Sequence, residues 1–311
     1  MSDYIKNTFQ GFSFGYDYKQ VFSNKWMTNL LTEEIIKMKH NNVITDEDLE
    51  IVKFIYQFRF ATPAIVADYL NNGDTLEITQ NKLDKLVKNR LLNKFMLSKL
   101  REEKPHPDAL MIYCLDFGGK ALLSHYGTPN NGIENWYTSS VMMSSEMIAN
   151  DLVTAHFYVQ VKKNVGGKLL YFKSNPNYRI AKNLVIPSFE LCIVQNGVRK
   201  YFVGEIAREY DFPVGFREKI IKIESILGTK AWMKYFCDTG EVAPSLLIVA
   251  ETDAVAMEAS QIITASTGLT AFRLTTDDRS LRPLGEGGAF LKYDPEENKL
   301  IGVRSSLFTA Q

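Results

Sequence analysis

The chain has 311 residues in which 36 Lys and Arg are balanced by 36 Asp and Glu. That balance excludes a polybasic, histone-like protein but leaves room for a local basic patch. An apolar content of 45% excludes wholesale disorder, and the length predicts two domains rather than one small core.

The start, MSDYIKNTFQ, lacks the basic-then-apolar pattern of a signal peptide. No apolar run approaches the length of a membrane span. The expected location is the cytoplasm, without membrane contact. Cys114, Cys192 and Cys237 show no CxxC or His-paired spacing and lie in apolar runs. They are expected to be buried free thiols in a reducing compartment.

Residues 1–44 are expected to form an N-terminal arm and helix. Within 19–40, Val21, Trp26, Leu30, Leu31, Ile35 and Met38 recur at near-helical spacing. Such a helix would pack in cis or on a second copy of the chain. Residues 45–126 form the next block. Thr45 with Asp48 reads as a capping box for a helix that carries Leu49, Val52, Ile55 and Tyr56 and ends near Phe60. Thr62-Pro63 starts a short second helix, because proline at the first helical position loses no hydrogen bond. After the turn 71–74, a third helix is predicted over 77–89, with Ile78, Leu83, Leu86 and Val87 inward. Strands at 91–97 and 111–115 flank a charged loop at 101–108, and a helix at 118–125 closes the block. This is the order of a winged helix-turn-helix.

Residues 127–143 are turn-rich and polar and read as a linker. Trp26 and Trp136, on either side of the block, are candidate anchors for arm and linker. From 144 to 311 the prediction is a helix at 144–163 and strands at 168–173, 184–194 and 199–208. A helix at 215–227, a strand at 245–250, a helix at 253–266 and a strand at 269–274 follow. Asn196-Gly197 is a strong hairpin signal, since a type I′ turn needs positive φ at both positions. The mixed order implies an α/β (α+β) domain.

The third helix and the following strand carry Lys82, Lys85, Lys88, Arg90, Lys94, Lys99, Arg101 and Lys104. The acids interspersed with them are Asp84, Glu102 and Glu103. A basic excess of this kind suits neutralisation of DNA phosphates. Thr79, Gln80, Asn81, Lys82 and Lys85 are expected to face base edges, where Gln and Asn pair with adenine and Lys with guanine. Lys88, Arg90 and Lys94 are expected to face phosphates. The competing reading is a protein-contact domain with a solvated basic face.

The order αβββαβ after residue 144 is that of restriction-endonuclease-like nucleases. Their chemistry needs an acid at the start of the second strand and Glu-x-Lys on the third, the acids holding Mg²⁺ and the lysine orienting water. The stretches Ile186–Glu190, Tyr201–Glu209 and Arg217-Glu218-Lys219 resemble the replication-relaxation family of plasmids and integrative elements. The likeness is one of pattern and order over roughly residues 45–295. The resemblance implies a winged helix joined to a nuclease-like domain. It also implies an accessory role at an origin of transfer or replication, with double-stranded DNA and a relaxase or replication initiator as partners. A homodimer reading paired half-sites fits such a role.

The departures bear on activity. Ser188 stands where the family has Asp, and Ala207 where a nuclease places Lys. Arg208 points to the opposite face of the strand. A degenerate, non-cleaving domain without metal or cofactor is therefore expected. An active nuclease would use Glu190, Glu205 and Lys219 with Mg²⁺. A transcriptional repressor is the further alternative. Glu146 and Asp151 read as solvated helix charges, His156 as a core residue, and Gly285-Glu286-Gly287-Gly288 as a surface turn.

Overall fold

The structure, a computed structural model, describes residues 17–26, 32–106, 109–127, 132–180, 183–236 and 242–309. It is a mixed α/β protein of two compact units, Met1–Ala155 and His156–Gln311. The division falls inside a long helix, Ser145–Val165. Of the segment 127–143 read as a polar linker, residues 128–131 lie outside the described residues, while Ile133, Trp136 and Val141 are buried. No helix among the described residues is long and apolar enough to cross a membrane.

In chain order the first unit contains β1 (Tyr18–Phe22), α1 (Thr32–His40), α2 (Asp46–Phe58), β2 (Phe60–Ala61), α3 (Pro63–Leu70) and α4 (Leu76–Lys88). It continues with β3 (Leu92–Lys99), β4 (Met111–Leu115) and α5 (Phe117–Tyr126). Thr45 and Asp48 form the expected reciprocal capping box, a device worth about 1 kcal/mol. Thr62 caps α3, with Pro63 in its first turn.

The four strands lie in the order β1-β3-β4-β2, all pairings antiparallel. One expectation fails here. Residues 18–22 are a strand and not the start of a helix. The β-prone YKQVF segment covers the edge that β3 would otherwise leave open, with Phe22 packed on Phe95 at 5.0 Å between ring centroids. Leu30 and Leu31, placed on the same predicted helix, lie outside the described residues. Helix α2 ends at Phe58, close to the end expected near Phe60, and Phe60 and Ala61 pair with Cys114 and Tyr113 of β4. Trp26 packs edge-on against Trp136 at 6.5 Å.

The long helix is α6 (Ser145–Val165). The second unit then runs β5 (Leu169–Ser174), β6 (Tyr178–Ile180), β7 (Asn183–Val185), β8 (Phe189–Gln195), β9 (Val198–Ala207) and α7 (Val214–Leu227). After these come β10 (Ser245–Ala250), α8 (Asp253–Ser266), β11 (Phe272–Thr276), α9 (Asp277–Ser280), β12 (Phe290–Asp294) and β13 (Lys299–Val303). The single strand expected at 184–194 is two strands, because Pro187 has no N–H for the ladder. Asn196 and Gly197 take φ of 51° and 75°, as the β8–β9 hairpin requires.

Seven strands form one sheet, β13-β12-β11-β10-β9-β8-β5. β9, β10 and β11 are mutually parallel, and the remaining pairings are antiparallel. Alternation along the strands sends Val203, Ala207, Leu246, Ile248 and Leu274 to the face packed with Phe216, Ile220 and Ile223 of α7 and Ala256 and Ile263 of α8. On the opposite face Phe157 of α6 packs on Phe189 at 5.3 Å. Gly204 lies opposite Phe189 in the register. A Cβ there would fall 2.0 Å from the Phe189 ring, so only glycine admits the ring. Cys114 and Cys192 are buried and form no disulfide among the described residues, and Cys237 lies outside the described residues.

Candidate functional site

Two groups of side chains carry the chemistry singled out in the sequence. The first is the face made by α4, β3 and the loop that follows. Amphipathic spacing turns Leu83, Leu86 and Val87 inward. Ile78, expected inward, is 45% exposed, because it lies on the stripe of Lys82 and Lys85 and not on that of Leu83 and Leu86.

Thr79 is fully buried, and its hydroxyl has no hydrogen-bond partner among the described residues. It cannot reach a base edge, which corrects the sequence expectation: position 79 falls on the same stripe as Leu83 and Leu86. Gln80 donates to Tyr113 Oη and, at 3.3 Å, to Asp84.

The lysines of this face are largely spoken for. Lys82 pairs with Glu47 and with Asp74, the latter at 2.5 Å. Lys85 pairs with Asp48 at 2.6 Å, the same carboxylate that accepts from the Thr45 N–H. Lys94 pairs with Asp84 at 2.8 Å. Arg90 donates to the Lys25 carbonyl at 3.2 Å and lies 3.8 Å from the buried Asp116 carboxylate.

Partial burial alone would raise the Asp84 pKa. Hydrogen bonds from Lys94, Tyr113 and Gln80 outweigh it and hold the carboxyl below its ordinary value. The Lys82 pKa is pushed above its ordinary value, because the bonds it donates to Asp74 and Glu47 overcome its desolvation. Lys82 and Lys85, expected at base edges, and Lys94, expected at phosphates, are thus each held by a carboxylate: Glu47 and Asp48 of α2, Asp74 of the turn before α4 and Asp84 of α4 itself. Asn81, Lys88, Lys99, Arg101 and Lys104 are exposed. None of these four cations forms an ion pair with another described residue.

The second group lies in the second unit, on the face of β8 and β9 toward α7. Glu205 is 2% exposed. It accepts from Ser188 Oγ at 2.7 Å, from the Ser188 N–H at 3.3 Å and from the Ile206 N–H at 3.2 Å. Lys219 of α7 comes to 3.8 Å of Glu205 Oε1 and pairs with Asp211 at 2.7 Å. Burial raises the Glu205 pKa, opposed by Lys219 and Ser188.

Glu190 takes a hydrogen bond from Tyr178 Oη, with Lys173 at 4.0 Å. The structure thus brings Lys219 to Glu205, and Ser188 with them, while Glu190 is held by a different partner. These residues do not fit the two-acid Mg²⁺ set. The position of the first acid supplies a neutral hydroxyl that itself donates to Glu205, and Glu190 is engaged by Tyr178. No group of three His, Cys, Asp or Glu suited to a metal occurs among the described residues.

Arg208 points to the other face and forms a two-point buried pair with Asp277, at 2.5 and 3.0 Å. Asp151 is buried and tied to Arg59 at 2.7 Å, and Glu146 is also buried. Neither is a solvated helix charge. His156 is 2% exposed, and burial lowers its pKa to about 3, which keeps it neutral.

Sequence reasoning missed Asp211 and the acids that cap the α4 lysines. Glu47 and Lys82 are 35 positions apart, Asp48 and Lys85 37 apart. No local pattern links them. Asp84, four residues after Gln80, was the one partner visible as a helix-spaced pair.

No family model, characterised protein or solved structure matches the chain.

Proposed function

We propose that the chain is a DNA-binding accessory protein of a mobile genetic element. Its first unit would be a winged helix-turn-helix that grips duplex DNA, and its second a restriction-endonuclease-like domain that does not cleave. The role near an origin of transfer or replication, beside a relaxase or replication initiator, extends from the family resemblance.

The observation that carries the DNA reading is the run α2-β2-α3-α4-β3-β4. Its strand β2 pairs with β4, and β3 leads into a loop where Lys99, Arg101 and Lys104 are exposed. In this arrangement α4 follows a tight turn after α3, as a groove-docking helix does. The flanking hairpin offers unpaired cations to the phosphate backbone. Three features weaken the part assigned to α4. Thr79 is buried, Gln80 is engaged, and the acids beside Lys82 and Lys85 would repel phosphates. The hold on DNA is therefore assigned mainly to the wing, with Asn81 and Lys88 as the exposed helix contacts.

For the second unit, support comes from the order α6-β5-β8-β9-α7-β10, with an antiparallel meander followed by a parallel strand. The non-cleaving assignment rests on Ser188 and Ala207 standing where an acid and a lysine are needed. The placement of Lys219 beside Glu205 favours the nuclease as second reading.

Two measurements decide. Duplex binding by the full chain should weaken steeply with salt, and footprinting should map a bound site. A site confined to the chain's own promoter would favour a repressor. Supercoiled plasmid with Mg²⁺ or Mn²⁺ should stay intact, and nicking that disappears in Glu205→Gln would overturn the non-cleaving assignment.

A further inference from the structure

The face of the second unit's sheet that points away from α7 and α8 carries a concave groove of about 640 Å³. Arg199, Lys200, Arg273, Lys292 and Arg304 line it, and no Asp or Glu is among its described lining residues. All five cations are exposed. Lys200, Arg273, Lys292 and Arg304 form no ion pair with another described residue. In a chain of zero formal net charge, a concavity lined by these four cations, with no Asp or Glu among its described lining residues, concentrates positive potential.

The floor narrows the ligand. Leu247 is fully buried, and Phe202 and Phe290 pack on Phe308 at 5.6 and 4.7 Å between centroids. The rings are closed on one another and offer no free face for stacking a base. The cations sit on β9, β11, β12 and the segment after β13. From β9 to β12 is three strand spacings, roughly 14 Å. A single nucleic-acid strand stacked at about 3.4 Å per nucleotide presents about four phosphates over that distance. A duplex is too broad to enter a cavity of this size.

We propose that this groove binds a single nucleic-acid strand through its phosphates, without reading its bases. Charge complementarity favours this occupant: a cationic groove that follows the backbone is one half of sequence-tolerant single-strand binding, and the shut aromatic floor leaves out the other half, base stacking. Strand alternation puts the groove on the face opposite Glu205 and Lys219, so the two regions can be altered separately. The inference stands on the second unit alone and does not require the duplex reading.

The test uses the full chain and a fluorescein-labelled 20-nucleotide single strand of mixed sequence. Anisotropy is read over a salt series, with the same sequence as a duplex in parallel. Arg273→Glu/Lys292→Glu/Arg304→Glu should lower single-strand affinity about tenfold or more and reduce the salt slope by about 2. Duplex affinity should stay within about threefold. The milder Lys292→Gln/Arg304→Gln, which leaves the exposed positions uncharged, should show the same direction if the triple variant folds poorly.

Unchanged single-strand affinity in a folded variant would overturn the proposal. So would equal losses on both probes, or a wild-type chain that binds no single strand. Loss of duplex binding alone, on substitution of Lys99, Arg101 and Lys104, would bear on the first unit and leave this groove untouched.

Discussion

The stretch from Lys82 to Lys104 and the groove of the second unit hold similar cations and differ in how they are assembled. The first is contiguous in sequence and reads as a basic helix and strand, yet Lys82, Lys85 and Lys94 each sit against a carboxylate. The second draws its cations from four separate segments, so no single sequence window holds them, yet no described residue of its lining is an acid. A count of charges along the chain does not measure the field at the surface. The field depends on which acids the fold brings alongside, and those come from distant positions.

The sharpest way to break this comparison is to remove the unpaired cations of the first unit. Lys99→Ala/Arg101→Ala/Lys104→Ala should lower duplex affinity roughly tenfold or more and flatten its salt dependence. Lys82→Ala/Lys85→Ala should cost clearly less, and a loss larger than that of the loop variant would return the main role to α4. Filter binding at two salt concentrations separates these outcomes.

The converse substitution removes the acids instead. Glu47→Gln/Asp74→Asn releases Lys82 and deletes two repelling charges, so duplex affinity at low salt should rise, roughly threefold. A fall would mean that Lys82 needs its partners to be positioned for DNA.

Glu205 offers a test in the interior of the second unit. Its folded pKa is raised, so between the ordinary carboxylate value and the raised one the folded state binds more protons than the unfolded state. Stability therefore declines as pH rises through that window, and is highest below it. Glu205→Gln should flatten the decline, gaining in melting temperature relative to wild type at pH 8 more than at pH 4. Parallel melting curves over that range would contradict the raised pKa.

The smallest effects belong to side chains that the sequence put at the interface and the fold withdrew. Thr79→Val replaces a buried, unsatisfied hydroxyl by a methyl and should be neutral or stabilising by up to about 1 kcal/mol. Duplex affinity should be unchanged. A Thr79 that reads a base would lose affinity on the same substitution. Lys94→Ala breaks a partly exposed pair with Asp84 and should cost at most about 1 kcal/mol in denaturant unfolding.

Much of the fold was legible. The Thr45–Asp48 capping box, Thr62-Pro63 at the start of α3, the Asn196-Gly197 turn and the β10 and α8 limits all appear where the residues place them. Each is a local matter of backbone geometry or a cap within a few positions. The strand at 18–22, the break at Pro187 and the β12–β13 hairpin were not read. A half-buried edge strand has no strict alternation, and β12 (FLKYD) and β13 (KLIGV) are five residues each without it.

Of the candidate site, the sequence supplied the residue types and the approximate order of elements. It singled out Glu190, Glu205 and Lys219 as the set an active nuclease would use, Ser188 as the departure from it, and the basic residues around α4. The fold alone decided that Lys219 reaches Glu205, that Thr79 is interior, and that acids some 35 to 37 positions away neutralise the helix lysines.

The sequence by itself determined caps, turns and inward stripes, because those depend on neighbours within a turn or two of the chain. Tertiary structure decided which charges remain available to a partner, because an ion pair forms wherever folding brings opposite charges within a few ångströms, however far apart they lie along the chain.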